Sequence, residues 1–372
     1  MARLLYISQA YTTHDRRFLE AMAQSGHTTW FLPCVPGGGE QRPTPASIHQ
    51  LSPLFARAGD DRPWRWLRAL VRLRAWVRKI RPELVHAGPV QTGGFLAAAL
   101  NVRPLMVMSW GSDVLVAPDQ GRWLSWVTRF TLGRADAVLG DCQTVRDRVL
   151  ELGALAPEQV VWFPWGIDLD AFQPKPATLG LRAARGWESC QVIISTRAFE
   201  PIHGTLVFLE AVRQVMAQRD DVRVLMLGDG TLRPAVERFL LAHDLRARVH
   251  LAGQIPHERL PDYFNEADLY VSATSSDGSS ISLLEAMGCG LPVVVTDGYG
   301  NREWVTHGRH GWLYPANDAR ALASTVLEAL RGDRMRAQMA AANRGAVQQR
   351  ADWTRNVQQL FAAYDRLLPV AG

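Results

Sequence analysis

Cysteine is scarce in this chain of 372 residues, and the four present, Cys34, Cys142, Cys190 and Cys289, lie far apart with no C-x-x-C pair and no histidine at zinc spacing. That excludes a disulfide framework and gives no reason to expect a structural metal. A reducing, cytoplasmic setting is expected. Long apolar runs are also missing: no stretch of roughly 18 uninterrupted apolar residues occurs, so no membrane-spanning helix is expected. The opening run Arg3–Ser8 is short and β-like, without the apolar centre of a secretion signal. Internal repeats of roughly 20 to 50 residues and low-complexity segments are absent as well, which removes solenoids and disordered chains from consideration.

What is present describes a globular protein with 47% apolar residues and a net charge of +5. At 372 residues the chain exceeds what a single core usually supports, about 250 to 300 residues, so two domains are expected. The charge is unevenly placed. Residues 1–180 hold 20 basic and 15 acidic residues, whereas residues 181–372 hold 21 of each. Within the first half, Arg62 to Arg81 carries eight basic residues and no acidic one, interleaved with Trp64, Trp66, Leu67, Leu70, Val71, Leu73, Trp76, Val77 and Ile80.

Apolar strand-like runs alternate with amphipathic helical runs throughout, the signature of βαβ units and parallel sheets, so the fold class is α/β. Strands are expected at Leu4–Ser8, Thr28–Pro33, Leu84–His86, Pro104–Ser109, Ala137–Gly140 and Val160–Phe163. After the stretch Gln173–Trp187 the pattern restarts, with strands at Val192–Ser195, Val222–Leu227, Val249–Ala252, Leu269–Val271 and Pro292–Val295. The expected division is therefore 1–174 and 175–351, two Rossmann-like domains with a cleft between the carboxyl ends of their sheets. The final segment, 352–372, with its helix Trp353–Leu368, is expected to pack back on the first domain.

The segment Ser275 to Val295 is the most informative. It reads as a small-residue loop, a helix bearing one acid, and a Gly-Leu-Pro turn into a buried strand. Gly278, Ser279 and Ser280 let backbone N–H groups approach an anion, and a helix opening near Ile281 and Ser282 adds its positive end, a geometry suited to a diphosphate. Glu285, eight residues beyond Asp277, falls one turn into that helix, where a carboxylate can accept both hydroxyls of a ribose. Gly228-Asp-Gly230 after a strand lacks the third glycine of a dinucleotide fingerprint and reads as a tight turn or as the wall of a base pocket. Asp168-Leu-Asp170 has the form of an acid-x-acid metal motif, but its setting between Gly166 and Phe172 reads as a turn; no metal and no bound cofactor are expected.

This segment, with Trp165-Gly-Ile-Asp168, Phe172, Arg197, Gly228-Asp-Gly230, Gly253 ahead of Leu260–Phe264, and Gly308-x-x-Gly311-Trp-Leu, resembles the pattern of family 4 glycosyltransferases over most of residues 160–320. Residues 1–150 match only in element order. The resemblance implies a GT-B fold, a nucleoside diphosphate sugar as donor, and transfer to an acceptor hydroxyl with retention. It assigns Asp277 to the donor sugar, Glu285 to the ribose and Arg197 to the diphosphate, with Gly230 in the donor site. Several positions depart from the pattern: Asp277 stands where the family has Glu, Ser279-Ser280 where it has Phe-Gly, and His203-Gly204 where it has Lys-Gly. His203 is expected to give a leaving phosphate a hydrogen bond, or a positive charge if protonated, and shares with a surface-loop histidine the field of readings at that position.

In the first domain the loops after the strands supply candidates for the acceptor: His14 and Asp15, His86 and Gln91, Trp110 and Asp113. Asp15 as a helix cap and His86 as a core histidine are equally open readings. Arg62–Arg81 reads either as a helix covering the sheet through Leu67, Leu70, Val71, Trp76, Val77 and Ile80, or as a surface for anionic headgroups, extended by Trp123 and Trp126, which suits a lipid-linked or membrane-bound glycan on the inner face of a membrane. Nucleic-acid binding is not expected, because no recognition motif accompanies the charge. The leading expectation is a retaining glycosyltransferase of glycoconjugate or cell-surface polysaccharide synthesis. A nucleotide-sugar epimerase on the same fold and a non-catalytic nucleotide-sugar or membrane-binding protein are the rivals.

Overall fold

The computed structural model describes residues 1–368 except 41, 58, 60, 61, 154 and 299. The described chain divides into two compact units, one built from the first 163 residues and from Val357 onward, the other from Pro164–Asn356.

The first unit is a parallel sheet of strands β1 (Arg3–Ser8), β2 (Thr28–Pro33), β3 (His49–Gln50), β4 (Leu84–Ala87), β5 (Leu105–Met108), β6 (Ala137–Gly140) and β7 (Val160–Trp162), in the order β3-β2-β1-β4-β5-β6-β7. Apart from the short exposed β3, its strands are mostly apolar on both faces, as a sheet covered on both sides by helices requires: β1 places Leu5 beside Trp30 of β2 and Val85 of β4. The chain runs outward from β1 to β3 and then returns to β4 on the other side of β1. That reversal makes the carboxyl ends of β1 and β4 the place where an open α/β sheet receives ligands.

The second unit repeats the logic with β8 (Gln191–Ser195), β9 (Val222–Leu227), β10 (Val249–Gly253), β11 (Leu269–Val271), β12 (Val293–Thr296) and β13 (Gly311–Tyr314), in the order β10-β9-β8-β11-β12-β13. Alternate residues feed two cores. Ile193, Val224 and Met226 pack under the helices Thr205–Met216 and Ala319–Ala329, whereas Val192, Ile194, Leu225 and Leu227 pack on the opposite face with Leu283, Leu284 and Met287. Here the reversal falls between β8 and β11, so Thr196-Arg197 and the loop beginning at Ser272 emerge side by side.

The strands expected from the apolar runs are present, and the structure adds β3 and β13. The segment 164–174 belongs with the second unit and not the first. Its side chains decide this: Ile167 and Phe172 are buried in the second unit's core, Ile167 N donates to Ala351 O at 2.8 Å, and Arg344 donates to the carbonyls of Leu169, Phe172 and Gly288. The expected helix Trp353–Leu368 is two helices: Trp353–Asn356 belongs with the second unit, and Gln358–Leu367 lies in the first, where Tyr364 is buried. Residues 369–372 of the expected C-terminal segment lie outside the described residues.

The helix Pro63–Ile80 differs from the stripe expected of it. Ala69, Leu73 and Ile80 are buried, and Trp66, Leu70, Trp76 and Val77 pack beside them, but Leu67 and Val71 are exposed. At about 100° per residue those two positions fall on the arc away from the sheet. Among the described residues no helix is long and apolar enough to cross a membrane.

Candidate functional site

The switch point of the second unit gathers the residues singled out in its sequence. Arg197, two residues past β8, reaches across the end of β11 to the loop and helix beyond it. Its Nη1 donates to Ser280 Oγ at 3.1 Å and Ser282 Oγ at 3.0 Å. Its Nη2 lies 2.7 Å from Asp277 Oδ2 and 3.1 Å from His203 Nδ1. Arg197 Nε is buried with no acceptor among the described residues. Beneath this cluster Tyr270 Oη meets Ser282 Oγ at 3.0 Å, and Trp304 Nε1 donates to Ser279 Oγ at 3.0 Å.

The loop bearing His203 is pinned to the loop after β11: Ser275 N donates to Ile202 O at 3.0 Å. Gly204 makes this approach possible. It has φ +63°, and a Cβ there would lie 2.2 Å from Ala273 O, so only glycine fits. Because a guanidinium can only donate, His203 Nδ1 is an acceptor and the imidazole proton sits on Nε2. Burial first, and the Arg197 charge second, push His203 down to about 3. At neutral pH His203 therefore offers a hydrogen bond and no charge.

One turn farther along the helix Ile281–Gly288, Glu285 is buried with its Oε1 2.6 Å from His257 Nε2. The His257 ring packs 5.2 Å from the Phe172 ring, which holds it against the carboxylate. Reasoning from the sequence missed His257. Its only local signal is a Pro-His step just past β10, at a sheet edge where site residues gather. Next to this pair, between the ends of β8, β9 and β10, lies a cavity of about 440 Å³ bounded by Thr196 and Ala198, by Leu227–Gly230, and by Gln254, Ile255 and Leu260. Gly230 has no room for a side chain, since a Cβ would sit 2.6 Å from Phe199 O. Asp168 Oδ1 accepts from Asp170 N and Ala171 N at 2.9 and 3.0 Å, the turn its setting suggested.

The first unit's candidates separate into two groups. Asp15 is fully buried, closes the capping box of the helix Thr13–Gln24 with Thr12, and accepts from Tyr6 Oη at 2.9 Å. His86 is buried against Tyr6 and Phe18, with Nδ1 2.6 Å from Tyr364 Oη, and burial pushes it down to about 3. Asp113 accepts from Val90 N, Trp110 N and Ser109 Oγ at 3.0, 2.9 and 2.7 Å, and Gln91 Nε2 donates to Asp113 O and Thr128 Oγ1. Asp15, His86 and Asp113 are thus buried with partners inside the first unit, and Gln91 is half-buried with its amide N–H groups given to Asp113 and Thr128. His14 and Trp110 remain, half-buried, with ring centroids 5.8 Å apart at the ends of β1 and β5.

Two family models match the chain: "Glycosyltransferase Family 4" over residues 12–171 and "Glycosyl transferases group 1" over residues 182–346. The chain belongs to glycosyltransferase family 4. The two matches between them span most of both units, and the second contains every residue of the Arg197–Glu285 cluster. Among curated relatives, the phosphatidylinositol N-acetylglucosaminyltransferase GPI3 subunit of Saccharomyces cerevisiae is 25% identical over 47% of this chain and 38% of its own length. The D-inositol 3-phosphate glycosyltransferase of Thermobispora bispora is 28% identical over 63% of this chain and 56% of its own. The chain thus spans only about half the length of such relatives, or less. Solved structures align along nearly the whole of this family 4 member. A sucrose-phosphate synthase from Thermosynechococcus elongatus has a TM-score of 0.83 at 20% identity, covering 99% of each chain. Anabaena HepE in complex with UDP-glucose has a TM-score of 0.81 at 18% identity, covering 99% of this chain and 100% of its own. Those likenesses establish the GT-B fold class.

Proposed function

We propose that this family 4 member is a retaining glycosyltransferase that moves a sugar from a nucleoside diphosphate sugar to an acceptor hydroxyl in glycoconjugate or polysaccharide synthesis. The observation that carries the reading is the Arg197 fork, held by Ser280, Ser282, His203 and Asp277 at the opening of the helix Ile281–Gly288. That arrangement combines a fixed cation with the positive end of a helix, the two features that bind a diphosphate and stabilise it as it leaves.

In this reading the base occupies the 440 Å³ cavity beside Gly230, and Glu285, oriented by His257, accepts the ribose hydroxyls. Asp277 exchanges its contact with Arg197 for a hydroxyl of the donor sugar. The bond between the anomeric carbon and the diphosphate oxygen breaks while the acceptor oxygen attacks from the same face, and the departing diphosphate takes the acceptor's proton. Arg197, the amides near Ser280 to Ser282 and the Nε2–H of His203 carry the charge that develops on the leaving group. The reading needs no metal and no further cofactor, since these groups supply the neutralisation, and it nominates no covalent nucleophile. His14 and Trp110 are the side chains proposed for a glycan or lipid-linked acceptor, met at the inner face of a membrane.

The test is a calorimetric titration with UDP, GDP and ADP and then their sugar conjugates, UDP first because a structural neighbour is described with UDP-glucose. One nucleotide should bind, and Glu285→Ala should weaken it by tenfold or more, as expected on losing a charged hydrogen bond of about 1.5–3 kcal/mol. If none of the nucleotides or conjugates binds, the donor site is wrong.

A further inference from the structure

The helix Pro63–Ile80 has a second apolar face that the fold does not use. Its inner arc packs on the sheet through Ala69, Leu73 and Ile80. On the outer arc Trp64, Leu67 and Val71 are 43%, 63% and 62% exposed. Spaced i, i+3 and i+7, they lie within about 60° of one another around the helix axis. A helix that only covers a sheet carries polar residues there.

A second exposed group lies next to it. On the helix Arg122–Leu132, Trp123 and Trp126 are 67% and 48% exposed and stack with centroids 5.0 Å apart at 22°. The two helices are joined by aromatic contacts: Trp66 to Phe95 at 5.9 Å and Phe95 to Trp126 at 6.4 Å. The helix carrying the exposed Trp123 and Trp126 is therefore a neighbour of the helix Pro63–Ile80 in the first unit. Arginines surround Trp64. The guanidinium carbons of Arg62, Arg65 and Arg68 lie 5.0, 5.0 and 4.5 Å from the Trp64 ring centroid. Arg74, Arg78 and Lys79 continue the cationic flank, and no acidic residue interrupts Arg62–Arg81.

We infer that this face is a docking surface for an anionic lipid bilayer, lying flat in the headgroup layer with Trp64, Leu67, Val71, Trp123 and Trp126 in the interface and the arginines on phosphates. The identity of the occupant follows from the mixture of residues. Cations alone would fit any polyanion, but Leu67 and Val71 have nothing to contact on a nucleic-acid backbone. A second copy of the chain would bring eight like charges against eight. A bilayer surface offers anionic groups above an apolar layer, and tryptophan is the side chain suited to that boundary. Neither attraction alone gives stable anchoring, so the two depend on each other. The inference rests on the proposed function only in suggesting why a membrane is nearby; its evidence lies in the first unit and is independent of the nucleotide site.

The experiment is co-sedimentation of the full chain with vesicles of phosphatidylcholine alone and of an equal mixture of phosphatidylcholine and phosphatidylglycerol. Binding to the mixed vesicles is expected at low salt, at least about tenfold tighter than to phosphatidylcholine, and weakened by added salt. Trp123→Ser with Trp126→Ser should release the protein, and Arg68→Gln with Arg74→Gln should weaken it by roughly fivefold per charge. Melting temperature and nucleotide titration accompany each variant: nucleotide binding should be unchanged, since these side chains are distant in sequence from Arg197 and Glu285, and each variant should remain folded at the assay temperature, with Trp126→Ser losing some stability through its contacts with Phe95 and Phe130. No binding to mixed vesicles, equal binding to both vesicle types, or binding to heparin or RNA that the tryptophan variant retains in place of vesicle binding would each overturn the inference. So would a stable dimer in solution that Leu67→Ser disperses. Loss of nucleotide binding with vesicle binding intact would count against the proposed function alone.

Discussion

Asp277→Asn separates two jobs assigned to one carboxylate, the contact with Arg197 and the contact proposed for the donor sugar. In the structure Asp277 Oδ2 lies 2.7 Å from Arg197 Nη2, with side chains 24% and 16% exposed. A diphosphate has to take Arg197 away from this carboxylate and then sit beside it. An ion pair of this burial is worth more than an exposed one, at about 0–1 kcal/mol, and less than a buried charged hydrogen bond, at about 1.5–3 kcal/mol; about 1 kcal/mol is a fair central value. Neutralising Asp277 removes that competition and the repulsion between carboxylate and phosphate. The free nucleoside diphosphate should then bind roughly five- to tenfold tighter. Transfer should move the other way, slowing by about tenfold or more, because the contact proposed for the donor sugar is lost.

Calorimetry on the wild type, Asp277→Asn, Arg197→Ala and the double variant reads this directly. Arg197→Ala should weaken the nucleoside diphosphate, and Asp277→Asn should help it much less in that background, since only the carboxylate's repulsion remains to be relieved. That non-additivity measures the coupling of the pair. If Asp277→Asn weakens the free nucleoside diphosphate, or if its effect is the same with and without Arg197, the competition argument is wrong.

Two further outcomes follow from other parts of the molecule. His86 is buried neutral, its pKa pushed from 6.5 down to about 3, so the unfolded chain takes up a proton there before the folded one does. Stability from this group is present above pH 6.5 and is lost as pH falls toward about 3, and His203 acts in the same direction. His86→Phe should therefore flatten the acid limb of melting temperature against pH, while lowering stability at neutral pH because Tyr364 loses its partner; an acid limb as steep as the wild type's would contradict the assignment. Gly204→Ala places a Cβ 2.2 Å from Ala273 O at φ +63° and should cost about 2 kcal/mol or more, together with nucleotide affinity. Gly253→Ala, at φ +73° with nothing within 4 Å of its Cβ, should cost only about 1 kcal/mol in a denaturant titration. Equal losses would mean that the contact of the two loops does not hold His203 in place.

Much of this was readable from local pattern. Strands buried on both faces read as continuous apolar runs, and the glycine- and serine-rich loop from Ser275 leads into its helix as expected. What the pattern could not show depends on partners distant in sequence. His86 becomes a core residue because Tyr364, 278 residues away, meets its Nδ1. Asp15 is claimed by Tyr6 and Thr12, and Asp113 by amides of two neighbouring loops. His257 stands 28 residues before Glu285 and meets it only because the loop after β10 and the first turns of the helix Ile281–Gly288 lie at the same edge of the sheet. β3 is two exposed residues long, too short to impose a period. The helix Pro63–Ile80 is apolar on two opposite arcs, so its composition alone did not tell which arc faces the sheet.

The histidine at position 203 changes how the site is charged, and this consequence needs both sequence and structure. Where the family pattern has lysine, a second fixed cation stands near the phosphates; here the imidazole is neutral and its Nδ1 is already committed to Arg197. Arg197 is left as the permanent charge of the cluster, shared with Asp277 until a ligand arrives. Two hydroxyls, Ser280 and Ser282, hold the guanidinium in position at the helix opening. Leaving-group stabilisation then leans on dipoles: the amides at the start of the helix and the Nε2–H of His203, fixed in direction by the bond its other nitrogen makes. Fixed dipoles stabilise developing charge with little reorganisation. For that reason the geometry of Gly204 matters as much here as the identity of the residue before it.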